Sequence, residues 1–240
     1  MKTIKSNIIG HILIIFTVLV WGGTFISTKV LVIENMAPME IALYRFIIAY
    51  IILCIIHPKI TKTSLKQELS FFLLGFSGVT LYFLFENNAL LYTSASNASF
   101  IVSTAPLLTA ILAHHTTNEK MRKNFITGFI FAAVGIFFIV FNGKFILNLN
   151  PFGDFLALLS AAAWAVYSIL IKKSANDYDV FFANRKIFFY GIITIIPFIL
   201  FSDNTLNLDL LLHPVLTANI LFLGIIASAL CYVLWQHAVI

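Results

Sequence analysis

The stretch VLVWGGTFISTKVLV, residues 18–32, decides the fold. It lies in an apolar run, 8–33, that is long enough to cross a bilayer, since a span takes about 20 mainly apolar residues. Yet the run carries Trp21, the pair Gly22-Gly23, three hydroxyl residues and Lys29. Lipid tails offer none of these a hydrogen-bond partner, so the helix is expected to face other helices and a polar pathway.

Composition extends this reading to the whole chain. Of its 240 residues 60% are hydrophobic and 10% are charged, with 25 Phe. Soluble domains average about 45–50% apolar and about 25% charged residues, so this is an all-α integral membrane protein. The first run follows Lys2 and Lys5 as a signal peptide would, but it is too long for one and lacks a small-residue cleavage site. The net charge of +5 comes from short basic clusters between apolar runs, which argues against a nucleic-acid partner. Cys54 and Cys231 lie inside apolar runs without CxxC spacing, so no metal is expected there. His114-His115 with Glu119 lacks a further ligand set. A P-loop, a nucleophile elbow and HExxH are all missing, so no enzyme and no cofactor are expected.

Polar punctuation divides the chain into eight transmembrane helices, at 8–33, 38–57, 69–91, 96–114, 124–142, 153–172, 180–201 and 216–239. The small polar segment TSASNAS at 93–99 separates the third from the fourth. Lys and Arg collect in cytoplasmic loops, and this division obeys that rule. Lys2, Lys5, Lys59, Lys62, Lys66, Lys120, Arg122, Lys123, Lys172 and Lys173 fall on the N-terminal side, and only Lys144 on the other. The expectation is a multi-pass protein of the plasma membrane with its N-terminus in the cytoplasm.

The two halves also resemble each other. Trp21 followed by Arg45 recurs as Trp164 followed by Arg185, each Arg about seven residues into its span. FFLLGFSGVTLYFLFENNAL (71–90) resembles LFLGIIASALCYVLWQHAVI (221–240), with Gly75 on Gly224 and Ala89-Leu90 on Ala238-Val239. If the first unit holds five spans, the second enters the membrane from the opposite face. Inverted repeats of this kind are a plan of secondary transporters, with the solute site near the midplane between them.

Several pieces together carry a family resemblance. They are WGGTF with Lys29, Ala37-Pro38 then Arg45, LYFLFENNALLYTSAS, Pro106, Glu119, Gly128 with Gly135, and GDFLALLSAAAWAVYSIL. Through them the chain resembles the drug/metabolite transporter superfamily in its EamA-like branch. The resemblance implies ten spans in two repeats of five, and a secondary transporter that exports small metabolites, amino acids among them, by alternating access. It divides the chain into a first repeat, 1–145, and a partial second repeat, 150–240, whose last two helices are missing. A truncated product or partial sequence is the favoured explanation of that departure, over an eight-span variant that needs a partner to complete its cavity. The alternative is a non-transporting remnant or a membrane subunit that needs a partner. A homodimer is left open.

Ionisable groups within spans are functional candidates by default. Glu86 is the sharpest, because Tyr82, Glu86 and Ala89 share one helical face with Asn87 beside it. It reads either as a proton-coupled carboxylate or ligand for a solute amine, or as a structural partner of Lys29 or Arg45. Lys29, Arg45 and Arg185 are expected to be structural or gating charges: the two arginines anchor helices near opposite membrane faces, with binding of a substrate carboxylate as the alternative, and Lys29 alternatively snorkels to the interface. Trp21, Tyr82, Trp164, Tyr167, Tyr232 and Trp235 are expected toward a solute pathway, with Gln236 matching Asn87 across the halves. The Ala157, Ala161, Ala165 ridge and Gly128 with Ala132 are expected to pack helices closely, and so is the Gly22-Gly23 notch, whose weak helix propensity alternatively lets span one bend beside Trp21.

Overall fold

Strong helix formers and apolar side chains run without interruption between short polar breaks, and in lipid such segments satisfy their backbone only within a helix. The computed structural model describes residues 2–117, 123–141, 150–174, 178–201, 206 and 208–239, and no strand occurs among them. Glu119, Lys120, Arg122, Lys144 and Asp203 lie outside the described residues. The helices are α1 (Lys2–Ile33), α2 (Pro38–Ile56), α3 (Leu65–Tyr92), α4 (Ala95–Val102), α5 (Ala105–Thr117), α6 (Lys123–Phe141), α7 (Pro151–Ser174), α8 (Val180–Leu200) and α9 (Pro214–Ala238). Seven apolar stretches of the described residues are long enough to cross a membrane, α4 and α5 jointly making one of them. The fifth expected span is represented by the shorter apolar stretch Asn124–Gly135 of α6.

Local chemistry sets the helix ends. Pro38 and Pro214 open α2 and α9 at the first turn, where the missing N–H costs nothing. The Ser94 hydroxyl accepts from Asn97 N at 3.1 Å and starts α4 inside TSASNAS, so the hairpin expected over 93–99 is confined to its first two residues, Thr93 and Ser94. Asp179 accepts from Phe181 N and Phe182 N at 3.0 and 3.2 Å and starts α8. One break was not foreseen: the fourth span stops at Val102 and resumes at Ala105. Pro106 has no N–H to give to the Val102 carbonyl, and the Thr104 carbonyl instead collects Leu107 N and Leu108 N.

Two helices contain a stretch of wider, π-helical turns, Phe76–Leu81 in α3 and Phe222–Leu230 in α9. The shift that carries Gly75 to Gly224 also carries Leu81, the last π residue of the first, to Leu230, the last of the second. Each glycine is a seat for a helix of the other half. A Cβ on Gly75 would lie 2.6 Å from the Ile187 carbonyl oxygen of α8, and one on Gly224 would lie 2.8 Å from Ile48 Cβ of α2. So α3 packs on α8 and α9 packs on α2, a crosswise exchange that only glycine allows at this distance.

The main core is aromatic, built from Phe46, Phe71, Phe83, Phe182, Phe188 and Tyr232. Ala157, Ala161 and Ala165 are buried as expected of a packing ridge. Gly128 and Ala132 are instead exposed, and a Cβ on Gly128 would meet nothing within 4 Å. That corrects the close-packing role expected of them, since small residues give helix contact only where a neighbour arrives. The Gly22-Gly23 pair is corrected in half, since a Cβ on Gly23 would meet Phe222 Cζ at 3.8 Å, an ordinary packing distance. Gly22 is exposed with nothing within 4 Å, and α1 passes through it without a break. Ile8, Ile12, Ile15, Leu19 and Ile26 of α1, with Phe131 and Ile130 of α6, present the outer apolar surface that lipid covers.

Candidate functional site

The polar face of α1 meets α2, α3, α4, α7 and α9 around a cavity of about 330 Å³. Its walls are Trp21, Gly22, Thr24 and Phe25 of α1, Arg45 of α2, and Tyr82, Phe83 and Glu86 of α3. Trp164 of α7 and Tyr232 and Trp235 of α9 complete the aromatic side. Ser99 of α4, Ser103 just past its end, and Ala105 and Pro106 at the start of α5 close the wall at the helix break. The unfilled notch at Gly22 is therefore cavity space.

Trp21 is the hub of the aromatic wall. Its ring centroid lies 5.1 Å from Trp164, 5.3 Å from Trp235 and 5.8 Å from Tyr232. Its indole N–H donates to the Ala227 carbonyl at 2.9 Å, inside the π segment of α9. Wider turns leave such carbonyls poorly matched within their own helix, and an indole donor satisfies this one. Tyr82 stacks 5.2 Å from Trp164 and extends the wall toward Glu86.

Glu86 is 2% exposed, and its Oε2 is buried without a hydrogen-bond partner among the described residues. Arg45 is also 2% exposed. Its Nε donates to Ser228 Oγ at 3.0 Å, and its guanidinium plane lies 4.3 Å from the Phe83 ring centroid and 5.3 Å from that of Phe46. Cation–π contact of this kind helps offset the loss of water. Arg45 was expected to anchor α2 near a membrane face, and the structure puts it in the cavity wall. The reason is tertiary: α9 brings Ser228 over α2 through the Gly224 seat.

The other candidates sit behind the wall. Asn87 Nδ2 donates to the Pro38 carbonyl at 2.8 Å and ties α3 to the start of α2. Gln236 Oε1 accepts from Asn184 Nδ2 at 2.7 Å and ties α9 to α8. The Tyr167 ring packs on Gly78, where a Cβ would lie 2.3 Å from its Cδ2. Gly78→Val should therefore cost about 1–3 kcal/mol of stability, the usual penalty for overpacking a tight contact. A lower unfolding midpoint in detergent checks this, and an unchanged midpoint would show that Tyr167 yields freely.

Lys29 Nζ donates to the Leu90 carbonyl at 2.6 Å and the Thr93 carbonyl at 3.2 Å, and so caps the last turn of α3. Arg185 does the same service elsewhere, its Nη1 and Nη2 each donating at 2.7 Å to the carbonyls of His57 and Lys59 just past α2. Nearby, Lys186 pairs with Glu68 at 2.6 Å, and Tyr190 also donates to Glu68. Sequence reading missed Thr24, Phe83, Ser99 and Ser103 as lining residues. None is ionisable, so none stands out until the helices are assembled. Among the described residues no group of His, Cys, Asp and Glu could hold a metal ion.

Membrane-crossing helices that enclose a small cavity with buried charges and an aromatic wall define a multi-pass membrane protein built to hold a solute. Comparison with known proteins says which kind. The profile of the EamA-like transporter family matches residues 8–141 and 151–239. An uncharacterized transporter of Archaeoglobus fulgidus is 32% identical over 233 residues, covering 95% of this chain and 79% of that protein. The uncharacterized transporter YyaM of Bacillus subtilis is 28% identical and covers 91% and 73%. A protein of known crystal structure superposes with a TM-score of 0.73 at 15% identity, over 98% of this chain and 79% of that one, which shows the shared fold. The chain belongs to the EamA-like transporter family. It is a membrane transporter, not an enzyme.

Proposed function

We propose that the chain is a secondary transporter that exports small metabolites, such as amino acids or related amphipathic compounds, by alternating access. The observation that carries this is the cavity itself, in which buried Arg45 and Glu86 face one space walled by Trp21, Trp164, Tyr232 and Trp235. Buried charges without a catalytic or metal partner are costly in a membrane and mark a solute or ion path. Trp21, Tyr82, Glu86, Trp164 and Tyr232 form the pathway. Asn87, Tyr167 and Gln236 support it from behind, and Lys29 and Arg185 act as structural charges.

Residues 1–145 and 150–240 belong to two units related as an inverted repeat. Support comes from the π segments that end at equivalent residues and from the reciprocal glycine seats, α3 on α8 and α9 on α2. Rocking one unit against the other would then open the cavity to each side in turn. The distribution of Lys and Arg supports a cytoplasmic N-terminus in the plasma membrane. A proton is the proposed coupling ion, held by Glu86 when no solute amine occupies it.

Counterflow tests the reading. Proteoliposomes loaded with an unlabelled amino-acid mixture are diluted into trace labelled mixture, and transient accumulation of label above protein-free vesicles is the expected result. Folded, reconstituted protein that gives no accumulation would overturn the choice of amino acids as cargo.

A further inference from the structure

The corner between α2 and α3 carries large apolar side chains where it has no core to bury them. Residues 57–64 join the two helices without helical structure of their own. Within this corner Ile60 is 85% exposed, and Leu65, the first residue of α3, is 88% exposed. Single exposed apolar residues are ordinary on a water-facing surface. Here they form a series. Ile55 and Ile56 at the end of α2 and Leu69 in the second turn of α3 are exposed too, so the apolar outer surface that lipid covers on both helices continues through the loop between them. Lys59, Lys62 and Lys66 alternate with these residues and are exposed as well.

The loop is held at both ends. Arg185 of α8 donates from Nη1 and Nη2 to the carbonyls of His57 and Lys59 at 2.7 Å each. At the other end Ser64 N donates to Gln67 Oε1 at 2.7 Å, and the Thr63 hydroxyl donates to Glu68. A backbone tied in this way presents Ile60 and the lysines outward in a fixed arrangement. The nearby acids are already engaged: Glu68 pairs with Lys186 at 2.6 Å, and Asp179, which caps α8, stands 3.7 Å from His57 Nε2. No Asp or Glu occurs from residue 41 to residue 67. The charge that the loop offers is therefore positive throughout.

We propose that this corner is a docking surface for the anionic phospholipids of the leaflet it faces. Ile60 and Leu65 enter the boundary between headgroups and acyl chains, and Lys59, Lys62 and Lys66 draw headgroups that carry a net negative charge. Apolar contact sets the depth, and charge selects the headgroup. A lysine close to an anionic membrane surface strengthens association about fivefold, so two of them suffice for a clear preference. Lys172 and Lys173 at the end of α7 are exposed also, but their neighbours Ile169 and Ile171 are buried, so that end offers charge without the apolar anchor. The proposal needs only the chain's place in a membrane and holds whatever the cargo is.

A fluorophore at Thr61, which is exposed inside the loop, reads local lipid and leaves Ile60, Leu65 and the lysines in place. Purified protein with Thr61→Cys is labelled, held in neutral detergent micelles, and titrated with phosphatidylglycerol or phosphatidylcholine brominated on the acyl chain. Wild type treated in the same way gives the background from Cys54 and Cys231. Phosphatidylglycerol should quench at a concentration about tenfold or more below phosphatidylcholine. Lys62→Gln with Lys66→Gln should erase that difference, whereas Lys172→Gln with Lys173→Gln, an equal change of charge, should leave it. Ile60→Ser with Leu65→Ser should weaken quenching by both lipids alike. Inorganic phosphate at matched ionic strength should displace neither lipid. The proposal is overturned by absence of quenching, by equal quenching with both lipids, by loss of the difference in both lysine pairs, or by displacement with free phosphate. Counterflow decides the transport reading separately in every one of these cases.

Discussion

Trp21→Ala is expected to destabilise the protein by about 3 kcal/mol. The figure follows from ring pairs worth about 0.5–1.5 kcal/mol each beyond simple area, and from one buried hydrogen bond worth about 1 kcal/mol. Trp21 makes edge contacts with Trp164 and Tyr232, a tilted contact with Trp235, and the bond to the Ala227 carbonyl. The loss is larger than for a lipid-facing residue, because lipid can replace an apolar contact but cannot donate to Ala227. Thermal unfolding in detergent measures it, with Leu19→Ala on the exposed face of α1 as the comparison. Trp21→Phe should recover the ring contacts and lack only the hydrogen bond. A Trp21→Ala midpoint no lower than that of Leu19→Ala would mean the aromatic wall is not held together through Trp21.

Glu86→Gln separates exchange from driven transport. The substitution keeps shape and burial but cannot carry a proton or a negative charge. Counterflow without a proton gradient should persist at higher solute concentration, since the rest of the cavity is intact. Accumulation driven by a proton gradient should fall to the level of protein-free vesicles. Full gradient-driven accumulation in Glu86→Gln would exclude this residue as the coupling site. The structure already speaks against one bland account: Lys29 is held by the carbonyls of Leu90 and Thr93, so it serves the end of α3.

The membrane class was legible because lipid imposes a one-dimensional rule. Each crossing needs a long apolar helix, and such lengths can be read along the chain. Trp21, Tyr82, Glu86, Trp164 and Tyr232 were legible as site candidates for a related reason: polar or amphipathic groups deep in such helices must face something other than lipid. The same rule cannot say which inward direction a residue takes. Asn87, Tyr167 and Gln236 are inward too, but they face Pro38, Gly78 and Asn184 rather than the cavity.

The sequence by itself determined that the chain crosses a membrane many times, where most helices begin and end, and which few polar residues the membrane would not tolerate without a purpose. These follow from hydropathy, capping and proline chemistry, which act within a helical turn or two. Tertiary structure alone decided that α3 seats on α8 and α9 on α2, that the Pro106 break in the fourth span lies against the cavity, and that Gly22 opens space instead of filling it. It also decided that Arg45 turns inward to Ser228 while Arg185 clasps the carbonyls after α2. Both arginines lie within the first two to three turns of their helices, Arg45 eighth in α2 and Arg185 sixth in α8. What each one meets depends on the helix that arrives opposite, and that is set by packing between segments far apart in the chain.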